Sequence, residues 1–164
     1  MIEKTYPFTE KLIANALHLA QQLHQALIHE ADALKKIQQA ELIGTIADSK
    51  KQLVAQLDQL NAQLTQILAT EKLPNTPDSV KEYFKSAETA GLPTAESAHN
   101  WAQLMHICSE CKRQNEENGA SIDVLSRHTR RSLNIIKGKP ESANTYDADG
   151  STQSDHHTSP LISV

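Results

Sequence analysis

Residues 95–137, AESAHNWAQLMHICSECKRQNEENGASIDVLSRHTRRSLNIIK, are predicted to form one long amphipathic helix on which the rest of the chain is organised. The positions on one side of this helix, its seam, recur in steps of three and four, which is the heptad spacing of helices that pack lengthwise. They are Trp101, Leu104, Cys108, Cys111, Asn115, Asn118, Ile122, Leu125, Thr129, Ser132 with Leu133 beside it, and Ile136. The phase continues through Asn118-Gly119, a pair typical of turns, so we predict a continuous or slightly kinked helix.

The seam turns polar in mid-helix at Asn115 and Asn118, and this allows two interpretations. In the first, the asparagines satisfy each other or a facing helix and specify the register of packing. In the second, this part of the helix is only partly covered. Asparagine then tolerates water until an amphipathic helix of a partner docks.

Two further apolar seams run through residues 8–37 and 41–70. The second is offset from the first by two residues, whereas interruptions of a coiled coil insert three or four. A chain reversal near Ala40 explains the offset, because it places Leu27 opposite Leu53 and pairs the seams along their length. We therefore predict an antiparallel helical hairpin with arms about 45 Å long. The segment 38–41 contains no Gly or Pro, so a single helix through this region is the alternative.

The same register places Glu30 opposite Lys50, each at a seam position where an apolar residue is expected. Both side chains could extend outward to keep their charges in water. Alternatively, they form an ion pair between the helices that fixes the register. Either role is structural.

A short connector helix is predicted over about 78–90, between the hairpin and the long helix. Asp78-Ser79 is its start signal, and Gly91-Leu92-Pro93 ends it. Its apolar face consists of Val80, Tyr83, Phe84 and Ala87. At the other end of the chain, Pro7 and Thr9 mark the start of the first helix.

The predicted fold class is all-α: a long antiparallel hairpin, a short connector helix and a third long helix in an elongated, coiled-coil-like bundle. The bundle forms one helical domain, 1–139, with helices at about 8–37, 41–70, 78–90 and 95–137. Residues 140–164 contain four acids and no Lys or Arg, and they are predicted to be a disordered acidic tail.

The composition excludes several classes of protein. Five glycines and 4% aromatic residues argue against a sheet protein. No apolar run approaches the ~18–20 residues of a membrane helix, and the first residues lack the apolar region of a signal peptide. We therefore expect a cytoplasmic protein without membrane insertion, with its two cysteines as thiols. A net charge of −4 does not suggest a general nucleic-acid binder.

No arrangement of residues indicates catalysis or metal binding. Cys108 and Cys111 form a C-x-x-C without a second pair of ligands, and they are predicted to be small buried core residues. None of the eight histidines accompanies a nucleophile and an orienting acid in a discernible motif. The basic run from Arg127 to Lys139 has no interleaved aromatics, so a solvated helix end is preferred over a nucleic-acid site. We expect no enzyme activity, no cofactor and no metal.

Several features in order carry a resemblance to a known family. They begin with Glu30, Glu41-Leu42 and a lysine at 50 or 51, and continue with Trp101, Cys111-x-x-x-Asn115, Asn118-Gly119, Ile122, Leu133, Gly138 and Thr145-Tyr146-Asp147-x-x-Gly150. With these features the chain resembles the FlgN family of flagellar type III export chaperones.

The resemblance implies a cytoplasmic chaperone without ATPase activity. Such a protein binds the C-terminal amphipathic helices of the hook–filament junction (hook-associated) proteins, prevents their premature association, and delivers them to the membrane export gate. The implied partner-binding residues are Asn115, Asn118, Gly119, Ile122, Leu125, Thr129, Leu133 and Ile136. Tyr146 is implied in docking to the export gate. The alternative function is a structural coiled-coil protein that self-assembles through the same seam.

Overall fold

A computed structural model describes residues 1–36 and 39–136, without the side chain of Ile135. Within these ranges the chain forms four helices and no strand: α1 (Ile2–Leu34), α2 (Ala40–Thr70), α3 (Pro77–Thr89) and α4 (Ala95–Ile136). The predicted all-α class is therefore confirmed. Three parts of the prediction lie outside the described residues: Ile37 and Gln38, just before the reversal predicted near Ala40, Lys137 at the end of the last helix, and the acidic tail 140–164.

The chain divides into two units, Met1–Ile122 and a second that begins at Asp123. The first unit contains α1, α2, α3 and the first part of α4, and it holds the hydrophobic core. Whether 1–139 is one domain stays a prediction. No described helix contains a stretch that is both long and apolar enough to cross a membrane.

The hairpin forms as predicted from the two offset seams. Helices α1 and α2 are separate elements in contact, and the side chains of Glu30 and Lys50 approach to 2.7 Å. In one continuous helix, residues this far apart in sequence would be separated by about 30 Å. The contact therefore excludes the single-helix alternative.

The core fills the end of the hairpin that is distant from its turn, where α3 and the start of α4 pack against α1 and α2. Burying these side chains is the main favourable contribution to the stability of this unit. The clustered buried residues are Tyr6, Leu12, Ile13, Ala16, Leu17, Ala20, Leu64, Leu68, Val80, Tyr83, Phe84, Ala87, Trp101 and Leu104.

Helix α1 begins at Ile2, so the prediction of a start near residue 8 is wrong. Pro7 lies inside the helix, near its beginning, where it removes one backbone donor. The turn before Pro7 is held by tertiary contacts, because the buried hydroxyl of Tyr6 donates to the Pro93 carbonyl at 2.7 Å. Thr9 is not a cap. It is fully buried in the helix, and its hydroxyl is hydrogen-bonded to that of Tyr83 at 3.0 Å.

Helix α3 lies one residue from its predicted bounds, but its cap is different. The side chain of Thr76, instead of Asp78-Ser79, accepts a hydrogen bond from the Ser79 backbone N–H at 3.2 Å. Pro77 occupies the first helical position, where its missing N–H costs nothing. The predicted apolar face is confirmed, since all four of its residues are buried.

Two helices end in the same hydrogen-bonded motif with different residues at its left-handed position. After α2 this position is Lys72, with φ of 61°, and the N–H of Leu73 donates to the Leu68 carbonyl at 2.8 Å. After α3 it is Gly91, with φ of 81°, and the N–H of Leu92 donates to the Ala87 carbonyl at 3.0 Å. Glycine adopts this backbone conformation without steric cost, whereas lysine does not.

Substitutions at these two positions, Lys72→Gly and Gly91→Ala, should therefore change stability in opposite directions. Lys72→Gly relieves the strain at an exposed side chain and is expected to stabilise the protein by about 0.5–1 kcal/mol. Gly91→Ala forces a Cβ into the left-handed region and should destabilise it by about 1 kcal/mol. Urea unfolding at constant m-value measures both changes.

Lys51→Gly, at an exposed position inside α2, is the control, since a glycine there should cost about 1 kcal/mol. If Lys72→Gly also destabilises the protein, strain at this turn is not significant.

Candidate partner-binding surface

A buried carboxylate, that of Glu30, joins three helices of the first unit. Glu30 is 1% exposed, and one of its oxygens, Oε2, accepts hydrogen bonds from two donors. Lys50 Nζ of α2 lies at 2.7 Å and Asn118 Nδ2 of α4 at 2.9 Å. The predicted ion pair is therefore formed, and it includes a third partner that the sequence did not associate with it.

Asn118 is buried at 3% exposure, and its amide is fully engaged. Besides Glu30, Nδ2 donates to the Leu27 carbonyl at 2.8 Å, while Oδ1 accepts from Gln114 Nε2 at 3.1 Å. Buried polar groups are retained where their hydrogen bonds are satisfied in this way. The contacts of Asn118 agree with the first interpretation, in which the asparagine is satisfied by a facing helix and specifies the register of packing. Gln114 was missed by the sequence analysis, although its spacing of four residues from Asn118 allows such a pair.

Asn115 and Gly119 are placed differently from Asn118. Asn115 is exposed, and its Oδ1 lies 3.5 Å from Lys50 Nζ, at the edge of the same network. Gly119 is half-buried, and α4 continues through it as predicted. A Cβ at Gly119 would meet no atom within 4 Å, so its glycine is not required by a close approach.

The middle of α4 is also supported on its exposed side by an ion-pair cluster. Arg113 donates to Glu117 at 2.6 Å and to Glu110 at 2.9 Å, at spacings of four and three residues. The hydrogen bond from Arg113 lowers the pKa of Glu110. Each such pair contributes little, but together they favour helix across a segment whose asparagines and glycine do not.

From Ser121 to Leu133 every residue of α4 is exposed, including its apolar ones. Four of the predicted partner-binding residues are large and apolar, and their exposed fractions are 37% for Ile122, 45% for Leu125, 46% for Leu133 and 79% for Ile136. Thr129, also exposed, occupies the intervening seam position. Ile122 is the last residue of the first unit, and the other four residues belong to the second. Within α4, these five residues are three or four positions apart and lie on one face of the helix, with Leu133 next to the seam position Ser132.

The two cysteines are free thiols in different environments. Cys111 is buried, its Sγ lies 3.7 Å from the Ala20 carbonyl oxygen, and desolvation raises its pKa to about 11. Cys108 is exposed, so its predicted place in the core is wrong, although desolvation raises its pKa as well. At this turn of α4 the partly buried Ile107 packs on the core instead.

Tyr146, implied in docking to the export gate, lies outside the described residues. Within residues 1–36 and 39–136, no group of three or more His, Cys, Asp or Glu side chains could hold a metal ion.

The fold and this surface together define a helical protein with an apolar, uncovered stripe on its last described helix. Comparison with protein families finds the FlgN protein family, matched over residues 9–154. The chain therefore belongs to the FlgN family, a family of flagellar export chaperones. No curated protein and no solved structure matches the chain.

Removing the Asn118 amide should weaken the fold. Asn118→Ala leaves the buried Glu30 carboxylate with one donor fewer, at an expected cost of about 1–3 kcal/mol. Asn115→Ala, three residues earlier and exposed, is the matched control and should change stability by less than about 0.5 kcal/mol. Urea denaturation compares the two variants, and equal effects would contradict the proposed importance of the network.

Lys50→Met should cost about 3 kcal/mol, because it leaves a buried charge without its counterion. Combining it with Glu30→Met removes that charge and should recover part of the loss. No recovery in the double variant would show that the charge of Glu30 is not what makes Lys50 important.

The thiols should differ in reactivity toward a disulfide reagent at pH 8. Cys108 is expected to react in the native protein and Cys111 only after unfolding, since thiolate is the reactive form and Cys111 is buried. Cys108→Ala should therefore abolish the fast reaction, whereas Cys111→Ala should leave it. A fast reaction that persists in Cys108→Ala would contradict the burial of Cys111.

The raised pKa of Cys111 also has a consequence for stability. The folded state holds the thiol proton more tightly than the unfolded state, whose pKa is near 9.0. The stabilisation that this provides is complete below that value and is lost as the pH rises through about 11.

Proposed function

We propose that this protein is a cytoplasmic chaperone for the hook–filament junction proteins of the flagellum. It binds their C-terminal amphipathic helices, prevents them from associating prematurely, and delivers them to the type III export gate. Family membership supports the general role in flagellar export. The clients and the gate are the specific part of the proposal.

The observation that carries the proposal is the exposed apolar stripe of α4. An isolated exposed apolar residue is ordinary, but a row at heptad spacing marks a surface that another helix can cover. Ile122, Leu125, Leu133 and Ile136 provide such a row. An amphipathic client helix would bury its own apolar face on them and be prevented from pairing elsewhere.

The proposed site has two kinds of residue. Asn118 acts indirectly, because its hydrogen bonds to Leu27 and Glu30 fix the rotation of α4 in the first unit. The exposed residues of the set are proposed to contact the client directly. The complete proposed set is Asn115, Asn118, Gly119, Ile122, Leu125, Thr129, Leu133 and Ile136.

A second candidate function, self-assembly as a structural coiled coil, uses the same exposed stripe. Stoichiometry separates the two. A chaperone forms a 1:1 complex with a client helix and does not need to oligomerise by itself, whereas a scaffold protein oligomerises without a client. Light scattering of the full chain, alone and with a client, provides this comparison.

Client binding should depend on which face of α4 is changed. Leu125→Asp places a charge in the stripe and should weaken client affinity at least about tenfold, or 1.4 kcal/mol. Val124 is the matched control, because it is 49% exposed, adjacent in sequence, and about 100° around the helix from Leu125, outside the stripe. Val124→Asp should change the affinity less than about twofold. Titration calorimetry with a client C-terminal peptide measures both.

A stronger version combines Ile122→Asp with Leu133→Asp, at the two ends of the central stripe. Client binding that survives this pair, or that is lost equally in Val124→Asp, would show that the stripe is not the site. Tyr146→Ala separates delivery from binding: if Tyr146 docks at the export gate, this variant keeps client affinity and loses export.

A further inference from the structure

The N-terminal part of the hairpin carries an uncovered groove that the proposed client site does not use. It lies between α1 and α2 in the first unit, and it has a volume of about 530 Å³. Its apolar floor is formed by Leu12, Leu60 and Ile67, while its walls also contain Thr5, Asn15, Gln63, Gln66 and Thr70. The remaining lining residues are Lys4, Phe8 and Lys11.

Phe8 is the unusual residue of this groove. It is 70% exposed, whereas the other aromatic residues within the described ranges, Tyr6, Tyr83, Phe84 and Trp101, are all buried. Exposing a phenylalanine costs the free energy that its burial would provide, about 1.5–3 kcal/mol. The fold does not recover that free energy, but a partner that covers the ring would.

The charge of the groove indicates the chemistry of that partner. Lys4 and Lys11 flank Phe8 at spacings of four and three residues, so the three side chains form one stripe on α1. Neither lysine forms an ion pair with any residue that the structure describes. No acid among the residues that the structure describes lines the groove, and the nearby Glu71 carboxylate accepts a hydrogen bond from Thr5 at 2.9 Å.

The dimensions of the groove favour a helical occupant. Its lining residues on α1 extend from Lys4 to Asn15, which corresponds to about 16 Å of helix axis, or three turns. A groove between two antiparallel helices is the position that a further helix occupies in a bundle. Phe8 and Glu30 are separated by about 33 Å along α1, so this surface is distinct from the polar network that holds α4.

We propose that this groove is a second docking site, which binds an amphipathic helix of a partner protein with acidic residues flanking its apolar face. The acidic side chains would pair with Lys4 and Lys11, and an apolar side chain would pack against Phe8 on the floor of Leu12, Leu60 and Ile67.

The test uses two synthetic 18-residue helical peptides with the same leucine stripe, flanked by glutamates in one and by lysines in the other. Binding to the full chain is measured by fluorescence anisotropy, in an Ile122→Asp, Leu133→Asp background that disrupts the α4 stripe. The acidic peptide should bind at least about tenfold more tightly than the basic one. Phe8→Ala should weaken it about tenfold or more, with circular dichroism confirming an unchanged fold.

Charge reversal provides the matched comparison. Lys4→Glu with Lys11→Glu should abolish the preference for the acidic peptide. Lys36→Glu with Lys85→Glu makes the same change of charge at exposed lysines that do not line the groove, and it should change the preference less than about twofold.

Three results would overturn the proposal. They are equal binding of the two peptides, binding that is insensitive to Phe8→Ala, and self-association of the full chain that Phe8→Ala abolishes. The last result would identify the occupant as a second copy of this chain.

Discussion

The Glu30 carboxylate is buried where α1, α2 and α4 meet, and the arrangement of the three helices depends on it. Removing a carboxylate from water costs several kcal/mol unless donors replace the lost hydration. Lys50 supplies a charge at 2.7 Å, and Asn118 supplies an amide at 2.9 Å. A slip of either helix by one turn would move its donor by about 5.4 Å and leave the charge unsatisfied. The network therefore specifies register more than it adds stability.

This register has a direct consequence for α4. Its seam residues Trp101, Leu104 and Cys111 are buried, and Asn118 completes the buried row with polar contacts. The apolar residues that follow are exposed within the described chain, beginning with Ile122 at 37%. One helix thus supplies both a structural segment and an apolar surface suited to another helix. The apolar residues of this surface are exposed without any of them having to be released from the core first.

Local sequence signals were the least reliable part of the prediction. Pro7 and Thr9 favour a helix start, yet α1 begins at Ile2, because the Tyr6 hydroxyl and the buried Thr9 are held by α3 and by the segment before α4. Thr76 caps α3 where Asp78-Ser79 was expected. Cys108 satisfies the heptad pattern but is exposed. For α1 tertiary contacts outweigh the local preference, whereas for α3 one local cap replaces another three residues or fewer away.

The helical class, the hairpin and its register, and the continuity of α4 are predictable from the sequence, since these follow from the periodicity of many apolar residues and do not depend on any single one. The sequence also indicated Glu30, Lys50, Asn115 and Asn118 as unusual, because polar residues at seam positions are unexpected. The packing of the helices was needed to show that Glu30, Lys50 and Asn118 form one network, and that Phe8 is exposed beside a groove. Hydrogen bonds between residues about 90 positions apart depend on how α4 rotates against the hairpin, and a one-dimensional pattern does not contain that angle.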